Sequence, residues 1–261
     1  EYQYLHPNND VNMSQSTNDV YPTAIKVGLI SAIAQLNTPF ENLIQSFKHK
    51  SDEFSHILKM GRTQLQDAVP MTLGQEFGAF ATTLQNDLNK LNQIMPDALS
   101  VVNLGGTAIG TGINTEAKYR EYAIASLSEI MQRKISSAPD LIEATSDMGD
   151  FVLLSSLLKR TATKLSKIAN DLRLLSSGPR TGINEIHLEP RQPGSSIMPG
   201  KVNPVIPEAM NLVCYQVIAN DLAITLAAEA GQLQLNAMEP LIAFKLFESI
   251  DLLSKAMQMF Q

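Results

Sequence analysis

Apolar residues recur at helical spacing along most of this chain. The cleanest run is Phe151, Leu154, Leu158, Ala162, Leu165, Ile168, Leu172 and Leu175. Steps of three and four predict an amphipathic helix from about 144 to 176, stopped by Gly178-Pro179. Ile25, Leu29, Ile30, Ile33, Leu36, Phe40, Leu43, Phe47 and Phe54 predict an earlier long helix, with Pro22 in its first turn. Pro39 lies inside that run and is expected to bend or split it. Further helices are expected from about 72 to 102, 116 to 132, 207 to 230, and 240 to the end. No stretch alternates apolar and polar residues for long enough to predict a strand. The segments 1–19, 61–70 and 103–114 read as loops, the last because it carries Gly105, Gly106, Gly110 and Gly112 without a helical period. Helices of this length sharing apolar faces predict an all-α, up-and-down bundle, taken as one domain over 1–261.

The helix expected from 207 to 230 carries only Glu208, Asp221 and Glu229 as charges. Its window 209–228 is the nearest approach to a membrane span, but Asn211, Gln216, Asn220 and Asp221 would be expensive in lipid. It therefore reads as a helix at the middle of a large bundle, with no membrane involved. Five helices of one chain cannot cover it on all sides. A homotetramer with this helix central is expected.

Composition narrows the function. The 261 residues are 44% apolar, enough for a sizeable core, and the formal net charge is -6. An acidic balance without a basic run argues against nucleic-acid binding. The single cysteine, Cys214, excludes an internal disulfide and fits a reducing, cytoplasmic compartment. The chain starts at Glu1, with no initiator Met and no signal-peptide pattern. It reads as a piece of something longer.

Three polar clusters stand at helix ends: Ser14 to Asp19, Gly61 to Asp67, and Gly194 to Pro204. Any one of them alone reads as capping chemistry. The third is the densest. Gly194-Ser195-Ser196-Ile197-Met198-Pro199-Gly200-Lys201-Val202-Asn203-Pro204 places two hydroxyls after a glycine, where a tight exposed turn is open to the backbone. Lys201 and Asn203 alternate with apolar neighbours, so an extended run points both the same way. Pro204 is expected in the first turn of the next helix. A loop leading into a helix N-terminus offers N–H groups, a hydroxyl and a cation to an anion.

This run matches, position for position, the signature loop of the aspartase/fumarase superfamily, Gly-Ser-Ser-x-Met-Pro-x-Lys-x-Asn-Pro. The other two clusters resemble that superfamily's remaining signature regions, in the same order, and the resemblance covers essentially the whole chain. Within the superfamily it is nearest the aspartate ammonia-lyases, through Thr17, the run from Gly61 to Pro70, and the run from Ala228 to Pro240, which contains Gln232-Leu233-Gln234-Leu235-Asn236. Fumarases typically have a second Ser at Thr17 and Asn-Phe-Glu-Leu-Asn in the last of these. Gln64 departs from fumarases and some aspartases, which have His there, paired with a Glu at the position of Glu208. With Gln64 that acid–base relay does not operate.

The resemblance implies reversible, anti elimination of ammonia from L-aspartate to give fumarate; no cofactor or metal ligand is assigned from the sequence, and metal dependence stays open. It implies Ser195 as the base, with Ser196 and Glu208 in support. It implies that Lys201, Asn203, Ser16, Thr17, Asn18, Thr63 and Gln64 hold substrate. Geometry bears on how they meet. Some 35 residues of helix between Thr17 and Thr63 span about 50 Å at 1.5 Å per residue. One subunit joins those clusters only if Pro39 folds the helix back. The resemblance implies instead a homotetramer whose sites each draw on three chains. It also implies further domains before Glu1 and after Gln261, so the 261 residues alone are expected to be inactive or weakly active. Two alternatives share the fold: a fumarate hydratase, and a non-catalytic scaffold, against which the intact Ser195, Lys201 and Asn203 speak. His6 reads either as part of a second anion site or as a surface turn residue. Glu229 reads either as functional or as paired with a neighbour.

Overall fold

The computed structural model describes residues 2–261 and is mostly helical. A π-helical turn, Pro7–Val11, precedes α1 (Thr17–Glu53). A hairpin of β1 (Leu58–Thr63) and β2 (Gln66–Thr72) leads into α2 (Leu73–Ala98). Then come β3 (Val101–Val102), α3 (Tyr119–Met131), β4 (Ser136–Ser137), α4 (Glu143–Ser146), α5 (Gly149–Leu175), α6 (Val205–Glu229) and α7 (Glu239–Phe260). The all-α reading is right in its main lines.

The chain forms two compact units. One comprises Glu1–Ile33, Asn92–Ser155 and Asp221–Phe247; the other comprises Ala34–Leu91, Ser156–Asn220 and Glu248–Gln261. In the first, Ile25, Leu29, Met95, Leu99, Phe151, Leu154, Ile224, Ile242 and Leu246 are buried together. Lys26 closes its edge, donating to the Val101 carbonyl at 2.7 Å and to Asp150 at 2.6 Å. In the second, the core of Leu36, Phe40, Leu84, Leu165, Ile168, Met210 and Met257 extends into an aromatic cluster. Phe47 meets Phe80 edge-on at 5.7 Å and Phe260 at 6.3 Å, and Phe77 meets Phe54 at 5.3 Å. Asp87 is buried there and paired with Arg160 at 2.9 Å and Lys164 at 2.5 Å, as a charge removed from water requires.

Several expected boundaries move. α1 begins at Thr17 and runs through Pro39 unbroken, so neither Pro22 nor Pro39 sets an end. The segment 61–70 is not a loop. It is most of a hairpin whose two-residue turn, Gln64-Leu65, has positive φ at both residues, as in a type I′ turn. α2 stops at Ala98, and Val101–Val102 instead pair in parallel with Ser136–Ser137. The long helix expected from 144 is interrupted at Asp147, whose carboxylate accepts from the Gly149 N–H at 2.9 Å and starts α5 afresh. α6 starts at Val205, leaving Pro204 just before it.

Among the described residues α6 alone is long and apolar enough to cross a membrane. Its polar residues nevertheless have partners in the protein. Asn211 donates to the Ser166 carbonyl and hydroxyl, Asn220 bonds Glu248 and Ser249, and Asp221 accepts from Ser155 at 2.8 Å. Cys214 is buried and unpaired, and burial pushes its thiol up to about 12.

Candidate active site

Each unit carries its own group of the residues singled out in the sequence. In the first, the start of α1 is held by reciprocal capping. The Ser16 hydroxyl accepts from the Asn18 N–H at 3.2 Å, and the Asp19 carboxylate accepts from the Ser16 N–H at 3.0 Å. The other oxygen of Asp19 accepts from Gly105 N–H at 2.9 Å and Thr107 N–H at 3.0 Å. Fully buried, this carboxylate fastens the glycine loop to the helix N-terminus. Asn103 repeats the fastening, donating to the Asn18 carbonyl at 3.0 Å and to the Thr145 hydroxyl at 3.2 Å. Gly110 has a positive φ of 91° and passes so close to Leu141 that a Cβ would lie 2.3 Å from its carbonyl oxygen. Only glycine fits there.

The same fastening presents Ser16, Thr17 and Asn18 to two hollows. Ser14, Gln15 and Ser16 face Thr107 to Asn114 across one of about 520 Å³. Thr17, Asn18 and Tyr21 face the 235–240 turn across another of about 340 Å³. The Asn18 amide donates to the Ala108 carbonyl at 2.7 Å, while Thr17 is exposed and makes no side-chain hydrogen bond among the described residues. His6 caps its own turn, its ring nitrogen accepting from the Asn8 and Asn9 N–H groups.

In the second unit, the signature segment folds as two successive turns, Met198 N–H to the Ser195 carbonyl at 3.3 Å and Lys201 N–H to the Met198 carbonyl at 3.2 Å. Gly194 packs against the far side of the loop, where a Cβ would lie 2.6 Å from the Lys201 carbonyl oxygen. Lys201 and Asn203 line one cavity of about 190 Å³ together with Asn184 and His187. Neither makes a side-chain hydrogen bond or ion pair among the described residues. Gly200, Val202 and Pro204 line the cavity as well, so no alternation sets the two polar residues apart from their neighbours. Ser195 is half-buried, Ser196 is exposed, and neither lines that cavity. Glu208 sits in the first turn of α6.

Thr63 and Gln64 stand at the exposed tip of the hairpin. Its base is anchored. Lys59 pairs with Glu76 at 2.5 Å and with Glu185 at 2.8 Å, and Arg62 pairs with Glu185 at 2.5 Å. Burial pushes the Glu185 carboxyl up, but Lys59 and Arg62 outweigh it and hold the group below its ordinary range. Glu185 also begins the segment leading to the signature loop, so this ion cluster ties hairpin and loop together. The sequence assigns no role to Glu185 or Asn103 and gives Asp19 only a capping one, because each acts on a residue dozens of positions away.

The sequence assigns no role of its own to Glu239, the first residue of α7. Only 4% of it is exposed, its Oε1 has no hydrogen-bond partner, and burial pushes its carboxyl up to about 7. The folded chain thus binds this proton more tightly than an unfolded one, whose carboxyl stays near 4.5. The protonated form favours folding, and the advantage is lost as pH rises from about 4.5 through about 7. Tyr21 is the other titratable side chain lining that hollow. Glu239→Gln is expected to raise the melting temperature at pH 8 and leave it nearly unchanged at pH 4.5, as calorimetry would show. An equal shift at both values would contradict a buried, titrating carboxyl.

A family model described as lyase matches residues 2–219. The chain belongs to this lyase family, within the aspartase/fumarase superfamily. Among particular proteins it is similar to the aspartate ammonia-lyase of Pseudomonas aeruginosa, 68% identical over 259 residues, which are 99% of this chain and 55% of that protein. The aspartate ammonia-lyase of Escherichia coli K12 is 56% identical, over 98% of this chain and 53% of that protein. Among solved structures, the fumarate lyase/delta crystallin of Brucella melitensis with cobalt bound superposes with a TM-score of 0.96 at 59% identity, over 98% of this chain and 56% of that one. A class II fumarase from Schistosoma mansoni superposes with a TM-score of 0.92 at 35% identity, over 98% of this chain and 57% of that one. The chain spans about half the length of the curated relatives it matches.

Proposed function

We propose that the full-length protein deaminates L-aspartate reversibly to fumarate and ammonia. The observation that carries this reading is the pairing of Lys201 and Asn203, free of protein partners, on the cavity next to the Ser195 turn. Relatives named for aspartate deamination at 68–70% identity, against 35% for the fumarase, favour ammonia over water as the group eliminated.

The chemistry sets the demands. Ser195, as its alkoxide, takes a proton from the carbon beside one substrate carboxylate. The electron pair left behind spreads into that carboxylate and doubles its negative charge. It then returns to form the carbon–carbon double bond as the carbon–nitrogen bond on the opposite face breaks and ammonia departs. Donors concentrated on that carboxylate lower the barrier, and the Lys201 ammonium and Asn203 amide supply them. The same cation and loop N–H groups favour the Ser195 alkoxide. Ser16, Thr17, Asn18, Thr63 and Gln64 hold the rest of the substrate. Ser196 and Glu208 support the loop from either side.

Assembly into a homotetramer, with each site drawing on three chains, is part of this reading, and the exposed stripe on α6 supports the assembly. Leu212, Tyr215, Leu222 and Leu226 are 54–69% exposed. An apolar stripe of that size calls for cover. A buried, unpaired cysteine accords with a cytoplasmic location.

The test is absorbance at fumarate's ultraviolet band after L-aspartate is added to the full-length protein, with ammonia measured in parallel. Fumarate and ammonia in equal amounts are expected. Turnover of malate but not aspartate would make it a hydratase, and no turnover of either would make it a scaffold.

A further inference from the structure

The hollow between the start of α1 and the 235–240 turn is built from a turn with no slack. Asn236 donates to the Ala227 and Ala228 carbonyls at 2.9 and 3.1 Å and accepts from the Met238 N–H at 2.8 Å. It thereby closes the end of α6 and fixes where α7 begins. Every polar atom of that side chain is used. Glu239, three residues on, is the opposite: 4% exposed, with Oε1 shielded from solvent and bonded to nothing. A shielded carboxylate oxygen without a donor is costly. Such an atom beside a cavity of about 340 Å³ calls for a donor that comes from outside the chain.

The other polar groups lining the hollow define that donor. Thr17 and Tyr21 bring hydroxyls and Asn18 brings its amide, whose nitrogen is already committed to the Ala108 carbonyl and whose oxygen is left to accept. Among the described residues no lysine, arginine or histidine lines it. Two helix N-termini face it, each worth about half a positive charge. Glu239 is the acidic side chain lining it, and with the two hydroxyls and the free amide oxygen it gives the hollow acceptors that a small N–H-bearing cation can satisfy. A space of this size holds several waters or one hydrated monovalent ion.

We propose that Glu239, with Thr17, Asn18 and Tyr21, forms a binding site for an ammonium group. The inference rests on the ammonia-lyase reading for its use: Thr17 and Asn18 belong to the proposed substrate set, and ammonia is the group released. The raised carboxyl of Glu239 fits this role. An ammonium beside it restores the ionised form that burial disfavours. The ligand chemistry is an N–H-bearing cation, either free ammonium or the amino group of the substrate.

Binding and turnover are measured separately on the full-length protein. First, the melting temperature is read at pH 8 in ammonium chloride, sodium chloride and tetramethylammonium chloride at equal ionic strength. Ammonium is expected to raise it above the other two in the wild type, and this excess is expected to vanish in Glu239→Gln. This arm needs no catalysis, so it stands if the lyase reading fails. No excess in the wild type, or an equal excess in the variant, overturns the site. The wild-type comparison also stands if the variant fails to fold. Second, where the wild type turns over, Glu239→Gln is expected to raise the KM for ammonium in the reverse reaction at least about tenfold, with the KM for fumarate within about twofold. A rise for ammonium alone marks free ammonium as the ligand. An equal rise for aspartate marks the substrate's amino group. Unchanged values for both overturn the proposal, while absent wild-type turnover overturns only the lyase reading.

Discussion

Ser195→Ala in the full-length protein is expected to lower kcat for aspartate by about 100- to 10,000-fold, with KM changed little. The side chain matters to the proposed chemistry and not to the loop. The turn at Ser195 is closed by its own carbonyl and the Met198 N–H, and the segment is held at Gly194 by backbone contact with Lys201. Alanine keeps all of this. A loss confined to kcat is the signature of a group that acts only in the transition state. Initial rates of fumarate formation over a range of aspartate concentrations make the separation. Retention of more than half of kcat would remove Ser195 as the base and leave Lys201 and Asn203 as binding groups for some other catalyst.

The second large effect belongs to Asp19, through stability. Asp19→Ala leaves the N–H groups of Ser16, Gly105 and Thr107 without their acceptor at a fully buried position. At about 1 kcal/mol for each group left unmatched, the cost is about 3 kcal/mol or more. For a chain of this size that lowers the melting temperature by roughly 6–12 °C. Asp19→Asn is expected to fare little better, because its amide nitrogen faces N–H groups wherever it turns. Activity should fall as well, through KM, since the same carboxylate holds Ser16 and the glycine loop on either side of a hollow of about 520 Å³. Calorimetry on both variants checks the first claim and substrate saturation the second. A shift under about 2 °C would mean that water replaces the carboxylate and that the fastening is dispensable.

The long helices were legible in the sequence. Their apolar residues keep the 3.6-residue period over five or more turns, and a core of that length leaves a local signature. The signature loop was legible too, since a run of eleven residues with eight specified positions needs no tertiary contact to be read. Lys201 and Asn203 do line one cavity, though Val202 between them lines it too, so alternation is not what brings them there.

The hairpin was not legible, for a definite reason. Most of β2 is exposed, so no buried face imposes a period of two on its residues. What holds the hairpin is Lys59 and Arg62 on Glu185, more than a hundred positions along the chain. Pro39 misled in the other direction. Phe40, Leu43 and Ile44 are buried beside it, and packing along α1 outweighs the backbone hydrogen bond a proline forgoes. Asp19 and Glu239 show most directly what the tertiary structure decided. In sequence both are ordinary acidic residues in the first turn of a helix. Burial and distant partners separate them: Asp19 is matched by three N–H groups, two of them over 80 residues away, whereas Glu239 is enclosed with an oxygen unmatched. The free energy of a charged group depends on the water and dipoles around it, and those are assembled only when the chain folds.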